Sequence, residues 1–139
     1  MDIVKDELYR VTAHSTAADG AVRADDGTLD VPVKAPRELG GPGGATNPEA
    51  LFSASYATCM HAAIALVASG QGVDASASEV HATTRIGRDD RGYVWGVDLD
   101  VVLPGQPEEV RQRIVDQAAD ICPISRSTAG NIEVSISTR

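Results

Sequence analysis

The sequence predicts a single α+β domain, and three observations carry that expectation. Nearly every position from Leu51 to Ala68 is apolar or small, which predicts one long helix buried all round. Several short segments alternate apolar and polar residues with the period of half-buried strands. A second helical pattern, Val110, Ile114, Ala118 and Ile121, has one apolar face and follows Pro107. With 139 residues the chain is of ordinary domain size and needs no disulfide staple. Strands and helices then belong to one core, with no repeat, linker or low-complexity tract between them.

Taken in order, Leu8 to Ser15 reads as a strand and Asp19-Gly20 as the turn that returns it into a second. Asp25-Asp26-Gly27 turns the chain again. Leu29, Val31 and Val33 alternate with Asp30 and Pro32, and the proline places this strand at an edge. Ala35 to Ala45 holds four glycines and two prolines in eleven residues, so it is a shaped loop. The long helix follows over Thr46 to Gly70, with Thr46 or Asn47 as cap, Pro48 in the first turn and Glu49 at capping-box distance from Thr46. Ser78 to Arg88 and Tyr93 to Leu103 form a hairpin around Asp89-Asp90-Arg91-Gly92. Pro123 must end the second helix, and Asn131 to Thr138 closes the chain as a strand.

The formal net charge is −8 with no Lys/Arg cluster, which argues against nucleic acid or an anionic membrane as partner. The long helix carries His61 and several serines and threonines, so a soluble protein is expected. Two cysteines without an N-terminal apolar run point to the reducing cytoplasm, where a thiol is catalytic or simply buried. Those two, Cys59 and Cys122, read as a thiol redox centre. Cys59 lies about three turns into its helix, beyond reach of the dipole, so a reactive Cys59 needs a nearby cation. Cys122 closes its helix at the partially negative end, which suits a thiol that acts second. An inert buried cysteine is the plain alternative for Cys59, and a capping role for Glu49. His61 at i+2 from Cys59 points away from it. His14, His61 and His81 have no metal-ligand spacing, so no metal is expected.

TNPEALFSASYATCM, the preceding PRELGGPGGA, and CPISRSTAGNIEVSI near the end together resemble the organic hydroperoxide resistance proteins of the wider osmotically inducible (OsmC/Ohr) family, along nearly the whole chain. The resemblance implies antiparallel sheets packed on a long buried central helix in an intertwined homodimer. It implies a peroxidase that reduces organic hydroperoxides, with Cys59 peroxidatic, Cys122 resolving, a Cys59–Cys122 disulfide, and Glu49 orienting an activating arginine. No bound cofactor is implied; the disulfide is reopened by a dithiol reductant, lipoyl groups on a lipoylated partner enzyme. The family's arginine, from a Gly-Gly-Arg-Asp-Gly hairpin, falls on Ala18 of TAADG, which suggests a branch with a relocated arginine. Arg37 in the shaped loop is the expected substitute and Arg23 the runner-up, with Arg10 and Arg126 also available. Glu49 and Cys59 stand roughly 15 Å apart along one helix, so the arginine must span part of the gap or a partner chain must supply a member. Phe52, Tyr56, Met60 and Ile124 are expected to form an apolar mouth for a fatty or aryl hydroperoxide. The alternative function is a non-catalytic OsmC-like protein that binds a small apolar molecule, with vestigial cysteines.

Overall fold

The computed structural model describes residues 4–139. Its elements run β1 (Ala13–Thr16), β2 (Ala21–Ala24), β3 (Asp30–Pro32), α1 (Pro48–Gly70), β4 (Glu79–Asp89), β5 (Gly92–Val102), α2 (Glu108–Ile121), α3 (Pro123–Thr128) and β6 (Glu133–Thr138). This is an α+β fold with two three-stranded sheets, and its contacts gather into one unit through Leu51 and another over Phe52–Arg139.

In the first unit β1, β2 and β3 form an antiparallel meander with β3, and so Pro32, at the edge. Gly20, at φ 63°, closes the first turn by donating its N–H to the Thr16 carbonyl at 3.0 Å. The strand expected from Leu8 starts only at Ala13. Leu8 is 95% exposed, and of the described residues before Ala13 only Thr12 reaches the neighbouring segment, its carbonyl accepting the Asp25 N–H at 2.9 Å; a strand exists only where a neighbour takes its N–H and C=O groups. The glycine-rich loop contains one 3-10 turn, Arg37–Leu39. Gly41 is required there, because a Cβ would lie 2.2 Å from the Ala35 carbonyl oxygen. Asn47 Oδ1 accepts the Ala50 N–H at 2.8 Å, so Asn47 rather than Thr46 caps α1. Glu49 is then the second helical residue.

The second unit holds the core. β4 and β5 pair in full register across the tight turn, where Asp89 Oδ1 accepts the N–H groups of Arg91 at 2.8 Å and Gly92 at 3.0 Å. Val97, Leu99 and Val101 of β5 point inward and are buried, while Asp98 and Asp100 face outward. They meet Tyr56, Met60, Ala63, Ile64 and Ala68 of α1 and Ile114, Val115 and Ala118 of α2. Each fully buried Ile or Leu here contributes about 1.5–3 kcal/mol of transfer free energy.

Three expectations need correction. α1 is not buried all round. Only that one stripe is covered, and Leu66 on another face is 68% exposed; a helix laid on a sheet buries one stripe whatever its composition. By length and composition alone α1 is apolar enough to cross a membrane. The second sheet is not antiparallel throughout, since β6 pairs with β5 in parallel after the crossover through α2 and α3. Finally, Ile121 is 44% exposed, and the next residue, Cys122, takes the inward position.

Gly41→Ala should lower unfolding free energy by about 1–3 kcal/mol in urea melts, because the backbone oxygen cannot yield. Gly87→Ala, where a Cβ meets nothing within 4 Å, should stay within about 0.5 kcal/mol of wild type.

Candidate functional site

The two cysteines, 63 residues apart in sequence, come together in the second unit, with the Cys122 and Cys59 thiols hydrogen-bonded at 3.4 Å between the sulfurs. Both are free thiols; Cys122 is fully buried and Cys59 half-buried. Cys59 is carried by α1. Cys122 is the C-cap of α2 and the N-cap of α3. Its N–H still donates to the Ala118 carbonyl at 2.8 Å, while its own carbonyl accepts the Arg126 N–H at 3.0 Å. Between those bonds its backbone is extended, at φ −65° and ψ 117°. Pro123 is the cause: it disfavours helical backbone at the residue before it, and its missing N–H suits the first turn of α3. Cys122 therefore stands at the start of α3 as well as at the end of α2, so the dipole of α2 alone does not set its preference for charge.

That same turn presents a donor to the other sulfur. The Ile124 backbone N–H binds Cys59 and acts to lower its pKa. Burial is the larger influence, and with the adjacent Cys122 it holds the Cys59 thiol above its ordinary pKa. Burial thus favours the protonated thiol, and a nearby cation would favour the thiolate.

The residues expected in an apolar mouth separate into two groups. Tyr56 and Met60 are 1% and 0% exposed and belong to the core, whereas Phe52 and Ile124 are half-buried beside it. Phe52 meets Tyr56 edge-on with ring centroids 5.9 Å apart and packs on Trp95 at 5.0 Å. Trp95 also lines a recess of about 520 Å³ at the turn end of the hairpin, together with Tyr93, Val94 and Ile132. His61 is held by Ser78 Oγ at 2.9 Å. Arg126 is exposed on α3. No group of three or more candidate metal ligands occurs among the described residues.

The remaining candidates lie in the first unit. Arg23 is committed to Asp19 at 2.7 Å and Asp30 at 3.1 Å, and it is the main reason the Asp19 carboxyl is lowered to about 2. Arg37 is exposed; its Nε donates to the Pro42 carbonyl at 3.3 Å, and it has no carboxylate within ion-pairing distance among the described residues. Glu49 is half-buried in the first turn of α1, and Ala18 lies in the turn before β2.

Sequence reasoning missed two polar ties around the thiols. Ser53 Oγ accepts the Thr84 N–H at 3.0 Å and pins α1 to β4. Tyr56 Oη and Ser125 Oγ are hydrogen-bonded at 2.9 Å. A signal for the second was present, since Tyr56 is one turn before Cys59 on the same helix face and Ser125 is three residues after Cys122.

Comparison with known proteins gives a consistent picture. Residues 41–137 match the family model of the OsmC-like proteins. The organic hydroperoxide resistance protein of Xanthomonas axonopodis pv. citri is 37% identical over 135 residues, covering 94% of this chain and 95% of its own. The crystal structure of an organic hydroperoxide resistance protein from Elizabethkingia anophelis superposes with a TM-score of 0.91 at 33% identity, over 95% of this chain and 96% of that one. OhrB of Bacillus subtilis superposes with a TM-score of 0.84 at 30% identity, over 96% of this chain and 100% of that one.

Because the neighbouring thiol raises the Cys59 pKa, Cys122→Ala should let the Cys59 thiolate form at lower pH than in wild type. The pH profile of Cys59 alkylation by iodoacetamide, resolved by peptide mass mapping, measures this. An unchanged or upward shift would contradict the electrostatic assignment.

Proposed function

The chain belongs to the family of OsmC-like proteins that includes the organic hydroperoxide resistance proteins, and on that premise we propose that it is a thiol-dependent peroxidase reducing organic hydroperoxides to alcohols. The observation that carries this reading is the 3.4 Å approach of Cys59 and Cys122.

The Cys59 thiolate attacks the distal oxygen of ROOH, the O–O bond breaks, and the departing alkoxide takes a proton to leave as ROH. Cys59 is left as a sulfenic acid, which the Cys122 sulfur attacks; an S–S bond forms and water departs. A dithiol, proposed to be a lipoyl group on a partner enzyme, returns both thiols by exchange. Cys59 must be partly exposed to meet substrate and Cys122 need not be, which is how their burial differs.

The cation that ionises Cys59 and stabilises charge on the peroxide oxygens is proposed to be Arg37, from this chain or a second copy, with Glu49 orienting it. Its freedom from carboxylates among the described residues supports this over the doubly paired Arg23. A homodimer is supported by the apolar side chains left open: Leu8 and Tyr9, 95% and 75% exposed on the arm before β1, and Leu66 on α1. Its two free thiols support a reducing compartment, and we read the protein as a dimeric cytoplasmic antioxidant. Phe52 and Ile124, with the Trp95 recess beyond, favour a hydroperoxide with an apolar R group.

One observation favours the non-catalytic alternative, in which a small apolar molecule binds and the thiols are vestigial: burial favours the protonated Cys59 thiol. Thiol counting separates the two. One equivalent of cumene hydroperoxide should remove both thiols together, and neither in Cys59→Ser; survival of both in wild type would favour the binder. Purified protein should also turn over cumene hydroperoxide faster than hydrogen peroxide, and equal rates would contradict the apolar mouth.

A further inference from the structure

The Tyr56 hydroxyl is buried among apolar side chains, where an unpartnered phenol would be costly. Its partner at 2.9 Å is Ser125, 69 residues away on α3. Among the described residues this is the single side-chain hydrogen bond from α3 to another element; Thr128, the other bonded hydroxyl of the helix, turns back onto Ile124 and Ser125. α3 has only six residues and none is fully buried; Ile124, half-buried against the core, is its other anchor. Yet the turn that begins it carries both the Cys122 sulfur and the Ile124 N–H that face Cys59.

We propose that Tyr56 and Ser125 form a clasp that seats the Cys122–Pro123–Ile124 turn over Cys59, making them a positioning pair for disulfide formation. Tyr56 stands three residues before Cys59 on α1, and Ser125 three after Cys122, so the bond ties the two sulfur-bearing segments beside the sulfurs themselves. With the clasp closed, the Cys122 sulfur is held in reach of a leaving group on Cys59, and its attack needs no search. Opened, the short helix can swing, and the effective concentration of one sulfur at the other falls.

The inference concerns the resolving step of the proposed peroxidase, but its test needs no peroxidase activity. Diamide supplies the oxidant: the Cys59 thiolate adds to its N=N bond to give an S–N adduct. The Cys122 sulfur then displaces the hydrazine, which departs with the two electrons and two protons the thiols lose. Rapid acid quench and mass spectrometry time adduct formation and ring closure separately. Tyr56→Phe and Ser125→Ala should each slow closure about five- to tenfold, accumulating the adduct. The double variant should be no slower than either single, as for two ends of one bond. Ser125→Thr, which keeps the hydroxyl, should close within about twofold of wild type. Thermal melts establish that each chain is folded at the assay temperature, and either single variant suffices if the other is not. Closure at the wild-type rate in a folded single variant, or multiplied slowing in the double, would overturn the clasp. A wild-type chain that ignores hydroperoxide yet closes with diamide would instead count against the peroxidase alone.

Discussion

A proline that forbids one helix from continuing is the constraint on which the site depends. α2 is seated by Ile114, Val115 and Ala118, all buried, and that packing carries Cys122 into the core. Pro123, itself exposed, removes an N–H and forces the preceding residue out of helical geometry. Cys122 is the residue so displaced, buried and extended, with α3 beginning immediately after it. Two sulfurs and a free backbone donor are thereby gathered in one place, although they come from distant segments.

The same burial that assembles the pair opposes its chemistry. A sulfur removed from water prefers its proton, and the neighbouring Cys122 adds to that preference, while the Ile124 N–H opposes it only in part. This balance suits a site that stays quiet until a cation completes it. A guanidinium near the sulfur outweighs one peptide dipole, because a full charge in a poorly hydrated setting interacts far more strongly than a partial one. Arg37 and Glu49 keep their proposed roles on this electrostatic requirement, and Ala18 marks where the resemblance alone does not supply the residue.

Much of the fold was legible because it depends on local signals. Asp19-Gly20 and Asp89 to Gly92 specify turns, the alternation in β5 sorts Val97, Leu99 and Val101 from Asp98 and Asp100, and Pro32 marks an edge. What was not legible depends on partners. The residues around Leu8 have strand composition but no neighbour to pair with, and the parallel pairing of β6 follows from a crossover that no local pattern encodes. α1 was read as buried all round because composition reports preference, whereas covering material decides exposure. Within the site, Cys59 and Cys122 stand out in the sequence as the two thiols of a redox centre, while their separate roles come from the resemblance. Ser125 escaped because a serine after Cys-Pro has no distinguishing local signal until Tyr56 is seen opposite it.

The claim at the centre of this account is that packing, rather than a large rearrangement, brings the two sulfurs into bonding reach. A crystal structure of the chain after one equivalent of organic hydroperoxide tests it most directly. The expected result is a Cys59–Cys122 bond within one chain, with α2 still ending at Ile121 and Tyr56 still facing Ser125. A bond between chains, or an over-oxidised Cys59 beside an untouched Cys122, would contradict it.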